Sequence, residues 1–212
     1  MLYMGMGRSA PRRAHRLPKY INDTRNLRVG LMGGSFNPPH DGHFKIASSA
    51  IKYLGLDEVW WLISPQNPFK TSHQTLPFME RHQLCIKSAK HPKFRVLNIE
   101  DKLKTKNSFS LIKRMLPRFP NMNFVWIMGA DNLYEFGKWH KANELSHLIP
   151  FAVFNRNNYS FKSLNSKGAF ILRSRVQNNM LRKLIKKKPP KWGYLHNVNV
   201  NISSTEIRES KQ

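Results

Sequence analysis

Short apolar runs alternate with amphipathic stretches along most of the chain. Leu27-Arg28-Val29-Gly30-Leu31-Met32 reads as a buried strand. A Gly/Pro-rich loop follows, then helical periodicity over residues 42–54, with Gly55 placed to end the helix. Val59-Trp60-Trp61-Leu62-Ile63 is a second strand, a polar loop runs to about Thr75, and residues 77–90 read as a helix. The third strand covers residues 94–99. A helix over 108–115 follows, capped by Asn107 or Ser108, and a fourth strand over 124–128 runs into Gly129-Ala130-Asp131. Residues 151–154 make a fifth strand. Beyond it the pattern predicts a polar loop over 155–166, a short strand over 169–172 and a basic helix over 176–188 stopped by Pro189-Pro190.

Strands separated by helices at this spacing imply right-handed crossovers. The expected architecture is therefore α/β: a Rossmann-like, doubly wound, mostly parallel sheet with helices on both faces. Ligands of such sheets bind beyond the carboxyl ends of the strands, so the loops after Met32, Ile63, Met128 and Phe154 are expected to face one cleft. Residues 1–26 lack this patterning. They carry Arg8, Arg12, Arg13, Arg16, Lys19 and Arg25 against the single acid Asp23, and read as a basic, disordered extension. An organelle transit peptide has a similar composition, but two prolines and the lack of an amphipathic helix argue against it. Residues 27–212 form the single expected domain.

Composition narrows the class. Of 212 residues 40% are hydrophobic, enough for one packed core, and no apolar run approaches the roughly 20 residues of a membrane-spanning helix. Cys85 is the only cysteine, which excludes an internal disulfide and a thiolate zinc cluster and suits a reducing cytoplasm. With 36 Lys and Arg against 12 Asp and Glu, the formal charge is +24. Such a surface attracts anions, whether nucleic acid, lipid or phosphorylated metabolites.

The chemistry concentrates in three places. Gly33-Gly34-Ser35-Phe36-Asn37-Pro38-Pro39-His40-Asp41-Gly42-His43 lies between the first strand and the first helix. Two glycines allow a sharp turn and close backbone approach, and the helix start offers unpaired amides to a phosphate. His40 and His43, three apart, can face one anion as donors or as cations; either could equally be an ordinary cap or surface histidine. Asn201-Ile202-Ser203-Ser204-Thr205-Glu206-Ile207-Arg208 has capping-box spacing between Ser203 and Glu206 and offers hydroxyls and Arg208 to a second anion, although a plain capped terminal helix would use the same residues. In Trp126-Ile127-Met128-Gly129-Ala130-Asp131-Asn132, Asp131 suits a ribose hydroxyl or a helix cap, and Trp139 a little further on can stack on a heterocycle or fill the core. The pair His40 and His43 is too few for a metal site, and the dinucleotide fingerprint G-x-G-x-x-G is absent.

The first motif resembles the GGxFDPxHxGH signature of the nucleotidylyltransferase superfamily, and Ile202 to Arg208 looks like its partner ISSTxIR. Together with Gly129-Ala130-Asp131-Asn132 and Trp139, they resemble the bacterial nicotinate-nucleotide adenylyltransferases over residues 27–209. That resemblance implies transfer of AMP from ATP, with Mg²⁺, to nicotinic acid mononucleotide in NAD biosynthesis. It further implies that His40, His43 and Arg208 act on the triphosphate with Ser203, Ser204 and Thr205, and that Gly33, Gly34, Ser35, Phe36 and Gly129 line the adenylate site. Asp131 would hold a ribose and Trp139 would stack on the nicotinate, with Lys70 and Ser110 also on the mononucleotide side. Asn37 departs from the signature, which often has Asp there.

Two other readings remain at this stage: another adenylyl- or cytidylyltransferase of the superfamily, and a nucleic-acid-binding protein using the basic arm and Lys186-Lys187-Lys188. Trp139 and the chain length argue against pantetheine-phosphate adenylyl transfer. There is no room for the extra domains of a class I tRNA synthetase, which shares the His-x-Gly-His element. The sequence does not fix an oligomeric state.

Overall fold

The structure, a computed structural model, describes residues 26–65, 75–155, 159–196 and 198. Strands β1 (Arg28–Gly34), β2 (Glu58–Ile63), β3 (Phe94–Leu97), β4 (Asn123–Gly129), β5 (Phe151–Phe154), β6 (Ser174–Arg175) and β7 (Lys191–Leu195) form one sheet in the order β3-β2-β1-β4-β5-β7-β6. Every pairing is parallel. The chain winds outward from β1 to β3, then returns to the other side of β1 at β4. The β1–β4 seam is thus the point where the strand order reverses, the place a doubly wound sheet leaves open for a ligand.

A sheet covered on both sides demands apolar residues on both sides. Adjacent Trp60 and Trp61 show this: both are fully buried, yet they belong to different cores. Trp60 packs edge-on against Phe119 and Phe124, while Trp61 lies in the other layer beside Phe36 and Phe94. The first layer is closed by α4 (Ser108–Met115), α5 (Ala130–Phe136), α6 (Ala142–Ser146) and α8 (Lys167–Leu172). The second is closed by α1 (Asp41–Leu54), α2 (Phe78–Ser88) and the 3₁₀ stretch Asn178–Lys186. Gly55 ends α1 in the left-handed conformation, φ 65°, as the sequence predicts.

Away from the ligand side, Arg28 fixes the start of β1 to Asp57 before β2. Its guanidinium donates to both carboxylate oxygens at 3.2 and 2.9 Å, and its backbone N–H adds a third bond. The hydrogen bonds from Arg28 hold the Asp57 carboxyl below the ordinary carboxylate range.

Expectation and structure first differ at Ile99, which begins the helix Ile99–Lys102 instead of ending the third strand, and at α6, which no pattern announced; they differ most after β5. The predicted loop over 155–166 contains α7 (Ser160–Leu164). The predicted strand over 169–172 is part of α8, begun by Ser166, whose hydroxyl accepts the Ala169 amide. Four apolar residues could not distinguish the two periods. Burial of Gly168, Ala169 and Leu172 at helical spacing decides it, and Gly168 sits so close to the Leu133 carbonyl that a Cβ would fall 2.0 Å from that oxygen. The predicted α-helix over 176–188 is a 3₁₀ stretch, and Leu181 and Leu184, three apart, match its three-residue turn. β7 has no counterpart among the predicted strands: Lys191-Trp192-Gly193-Tyr194-Leu195 is short, contains a glycine and follows two prolines.

Candidate active site

β1 delivers its motif residues to the β1–β4 seam, but its glycines work differently from the expectation. Gly33 and Gly34 are the last residues of the strand and make no left-handed turn. Gly33 is needed for space: a Cβ there would lie 2.7 Å from the Trp126 ring. The turn itself falls on Phe36, φ 46°, a conformation that costs a non-glycine residue free energy. Packing holds it there. The Phe36 ring is buried and stacks on Trp61 at 5.2 Å with 9° between planes, and next to it the fully buried Asn37 accepts the Leu76 N–H on Oδ1 at 2.9 Å.

His40 is the N-cap of α1, and the cap is reciprocal. His40 Nδ1 accepts the Gly42 amide at 3.1 Å, while His43 Nδ1 accepts the His40 amide at 3.2 Å. Because Nδ1 is an acceptor on both rings, the neutral imidazoles carry hydrogen on Nε2. The ring centroids are 3.9 Å apart, and Phe36 packs against His43 at 4.9 Å. Capping and donation are therefore not rivals: the cap uses Nδ1 as acceptor and fixes the ring, so the donor of each neutral ring is its Nε2–H. The geometry favours neutral donors over the cationic alternative.

Beside this loop lies a cavity of about 320 Å³. Gly33, Gly34 and Ser35 form the wall it shares with the motif loop, and Ser64 after β2 continues that wall. Trp126, whose ring abuts Gly33, and Trp139 supply the aromatic lining, packed edge to face with centroids 6.1 Å apart and planes at 85°. Lys106, Asn107 and Ser108, at the start of α4, and Asn132, Glu135, Lys138 and His140 add polar groups to the lining. Asn107 is the cap of α4, its Oδ1 accepting the Ser110 amide at 2.9 Å. Residues after β1, β2 and β4 meet here as the topology predicts. Asn155 and Tyr159, the described residues of the loop after Phe154, are not among those lining the cavity.

The other expected site residues divide into two groups. Gly129 ends β4 and caps α5 through its backbone, and Asp131 occupies the first turn of α5; neither lines the cavity, although the next residue, Asn132, does. Ser110 is one turn into α4, with Ser108 rather than Ser110 on the cavity wall. Lys70, Ser203, Ser204, Thr205 and Arg208 lie outside the described residues, as does the extension 1–25.

Two charged residues absent from the sequence-based site stand out. Glu100, in the short helix α3 (Ile99–Lys102), lines the cavity while 6% exposed, and burial pushes its carboxyl up to about 7. Arg81 of α2 is 1% exposed and directs its guanidinium at backbone carbonyls of the motif loop and of the connection after β2. Each sits beside other charges in an ordinary-looking segment, Glu80-Arg81 and Glu100-Asp101-Lys102, and only the fold shows that it is buried. Among the described residues no group of three or more His, Cys, Asp or Glu could hold a metal ion, and no helix is long and apolar enough to cross a membrane.

An all-parallel sheet with a glycine-ended first strand, a histidine-capped first helix and a cavity at the strand-order reversal defines a nucleotide-handling α/β domain. The chain belongs to the cytidylyltransferase-like family, whose sequence model matches residues 31–210. It is 40% identical over 185 residues to a probable nicotinate-nucleotide adenylyltransferase of Rhizobium johnstonii, covering 87% of this chain and 93% of that one. A relative of the same name from Agrobacterium fabrum is 35% identical over 183 residues, covering 86% and 98%. Among solved structures, the fold matches Plasmodium falciparum nicotinic acid mononucleotide adenylyltransferase complexed with NaAD. The TM-score is 0.63 at 19% identity, over 86% of this chain and 83% of that one.

Proposed function

We propose that this chain transfers the adenylyl group of ATP to nicotinic acid mononucleotide, giving nicotinic acid adenine dinucleotide and pyrophosphate, a step of NAD biosynthesis. The observation that carries this reading is the 40% identity to a nicotinate-nucleotide adenylyltransferase across nearly the full length of both chains. The arrangement around Gly33–Ser35 supports it: a phosphate-suited loop on one side and an aromatic-walled cavity on the other share one wall.

The reaction needs no protein nucleophile. An oxygen of the mononucleotide phosphate attacks the α-phosphorus of ATP, a new P–O bond forms, and the bond to the bridging oxygen breaks as its electron pair leaves with pyrophosphate. The protein must bring two anions together in line and stabilise the charge that develops on the leaving group. In our reading the Nε2–H groups of His40 and His43 and the amides at the start of α1 donate to the triphosphate. Ser203, Ser204, Thr205 and Arg208 approach it from the C-terminal motif. Gly33, Gly34, Ser35, Phe36 and Gly129 line the adenylate, and Asp131 holds a ribose. The mononucleotide occupies the cavity with its ring against Trp139, while Lys70 and Ser110 contribute to its side of the site.

Mg²⁺ brought in with ATP would supply charge neutralisation on the triphosphate. The one cysteine, buried and unpaired, suits the reducing cytoplasm in which we place the protein. Residues 27–212 act as one catalytic domain.

The direct test is pyrophosphate release from ATP and Mg²⁺ by the full chain, with nicotinic acid mononucleotide, nicotinamide mononucleotide or phosphopantetheine as acceptor. Preference for the nicotinate acceptor is expected. A folded protein that uses phosphopantetheine instead, or no acceptor, would refute the proposal.

A further inference from the structure

Arg81 is the most deeply buried cation among the described residues, and no carboxylate described there pairs with it. Four of its five N–H donors go to main-chain carbonyls. Nη1 donates to Ser35 O at 2.6 Å and Ser64 O at 2.9 Å, Nη2 to Pro65 O at 2.8 Å, and Nε to Leu76 O at 2.9 Å. One planar fork thus joins the motif loop after β1, the connection after β2 and the start of α2. Ser35 and Ser64 also line the cavity, and Ser64 donates its amide to Gly34 O at 2.9 Å. Arg81 therefore sits behind the wall shared by the loop and the cavity.

The residue held next to it is the strained one. A trans peptide directs its C=O and N–H oppositely, so fixing Ser35 O on Arg81 turns the Phe36 amide away from the guanidinium. Phe36 is left-handed at φ 46°, and the residue after it, Asn37, is tied to Leu76, whose carbonyl Arg81 also holds. Strain of this kind persists only where the surroundings over-determine it. Packing of the Phe36 ring on Trp61 supplies one part of that determination, and Arg81 supplies another: it bonds Ser35 O directly and holds Leu76, Ser64 and Pro65 around the turn.

We propose that Arg81 is a positioning residue for the nucleotide site: its guanidinium holds the Ser35–Phe36–Asn37 turn in the conformation that receives the triphosphate of ATP. This rests on the reading of the motif loop as the triphosphate site. Lysine cannot substitute, because one ammonium cannot span four carbonyls that converge on a planar fork.

The test uses the full chain with Arg81→Ala and Arg81→Lys, measuring thermal stability, ATP binding by calorimetry without acceptor, and kcat and KM. Arg81→Ala should weaken ATP binding by about 100-fold, the cost of a misplaced binding loop. Arg81→Lys should recover thermal stability while remaining well short of the wild-type ATP affinity. An Arg81→Lys protein that binds ATP as the wild type does overturns the proposal, as does a folded Arg81→Ala protein that loses only thermal stability. Should Arg81→Ala fail to fold, Arg81→Lys alone decides. Wild-type protein that binds ATP but turns over no acceptor would refute the assigned reaction, yet leave this comparison intact.

Discussion

The two walls of the site are built in opposite ways. The motif loop is a single stretch, Gly33 to His43, whose parts contact one another: Phe36 against His43, His40 against His43, Gly34 beside Phe36. The cavity wall is assembled from residues scattered between Ser64 and His140, joined only because parallel pairing stacks the ends of β1, β2 and β4 side by side. A contiguous site leaves its spacing in the sequence; an assembled one leaves isolated residues that read as ordinary helix or loop.

Breaking the motif loop should have the largest effect. His43→Ala removes an Nε2–H donor and should lower kcat by about 10²–10³-fold, more than it weakens ATP binding. Because His43 Nδ1 also caps α1, His43→Asn separates the roles: asparagine can accept the His40 amide, so recovered stability without recovered turnover would assign the loss to the donor. Unchanged turnover in His43→Ala would contradict the role.

Gly33 is where the two walls touch. Gly33→Ala drives a methyl group against the Trp126 ring and should cost about 1–3 kcal/mol of stability, with turnover falling as the ring shifts. Denaturant melts of the two proteins would show it, and equal midpoints would mean the seam has slack that the packing does not show.

Glu100 sharpens the cavity side through pH. In the unfolded chain its carboxyl titrates near the ordinary 4.5; in the fold burial moves it to about 7. Between those values the folded state holds a proton the unfolded state has lost, so this group's stabilising share falls as pH rises through the window and levels off above 7. Glu100→Gln should accordingly raise stability at pH 8 relative to pH 4.5 by about 1–3 kcal/mol. A stability difference independent of pH would show that the carboxyl is solvated.

The smallest effect concerns Cys85, next to Arg81 on α2. Burial pushes its thiol up to about 12, so a thiol reagent at pH 8 should leave it unmodified until the protein unfolds. Rapid native-state labelling would mean that α2 opens easily.

This contrast explains what the sequence made legible. Through β5 the runs are long or well punctuated: Val59 to Ile63 is wholly buried, Gly55 stops α1 and Asn107 caps α4. Past β5, all elements but the 3₁₀ stretch have two to six residues, too few positions to show a period, which is why α8 reads as a strand and β7 is missed. Within the site, residue types in the motif loop suggested a phosphate cradle and put the turn at the glycines, whereas packing places the left-handed residue at Phe36. Arg81 and Glu100 gave no signal, because burial is a tertiary property.

The account's central claim is that the loop serves ATP and the cavity serves the mononucleotide. Calorimetric titration of nicotinic acid mononucleotide and of ATP, each alone, into wild type and Trp139→Ala tests it most directly. The predicted result is mononucleotide affinity about tenfold lower in the variant, the scale of a lost aromatic stack, with ATP affinity unchanged. Equal weakening of both ligands, or of ATP alone, would contradict the division of the site.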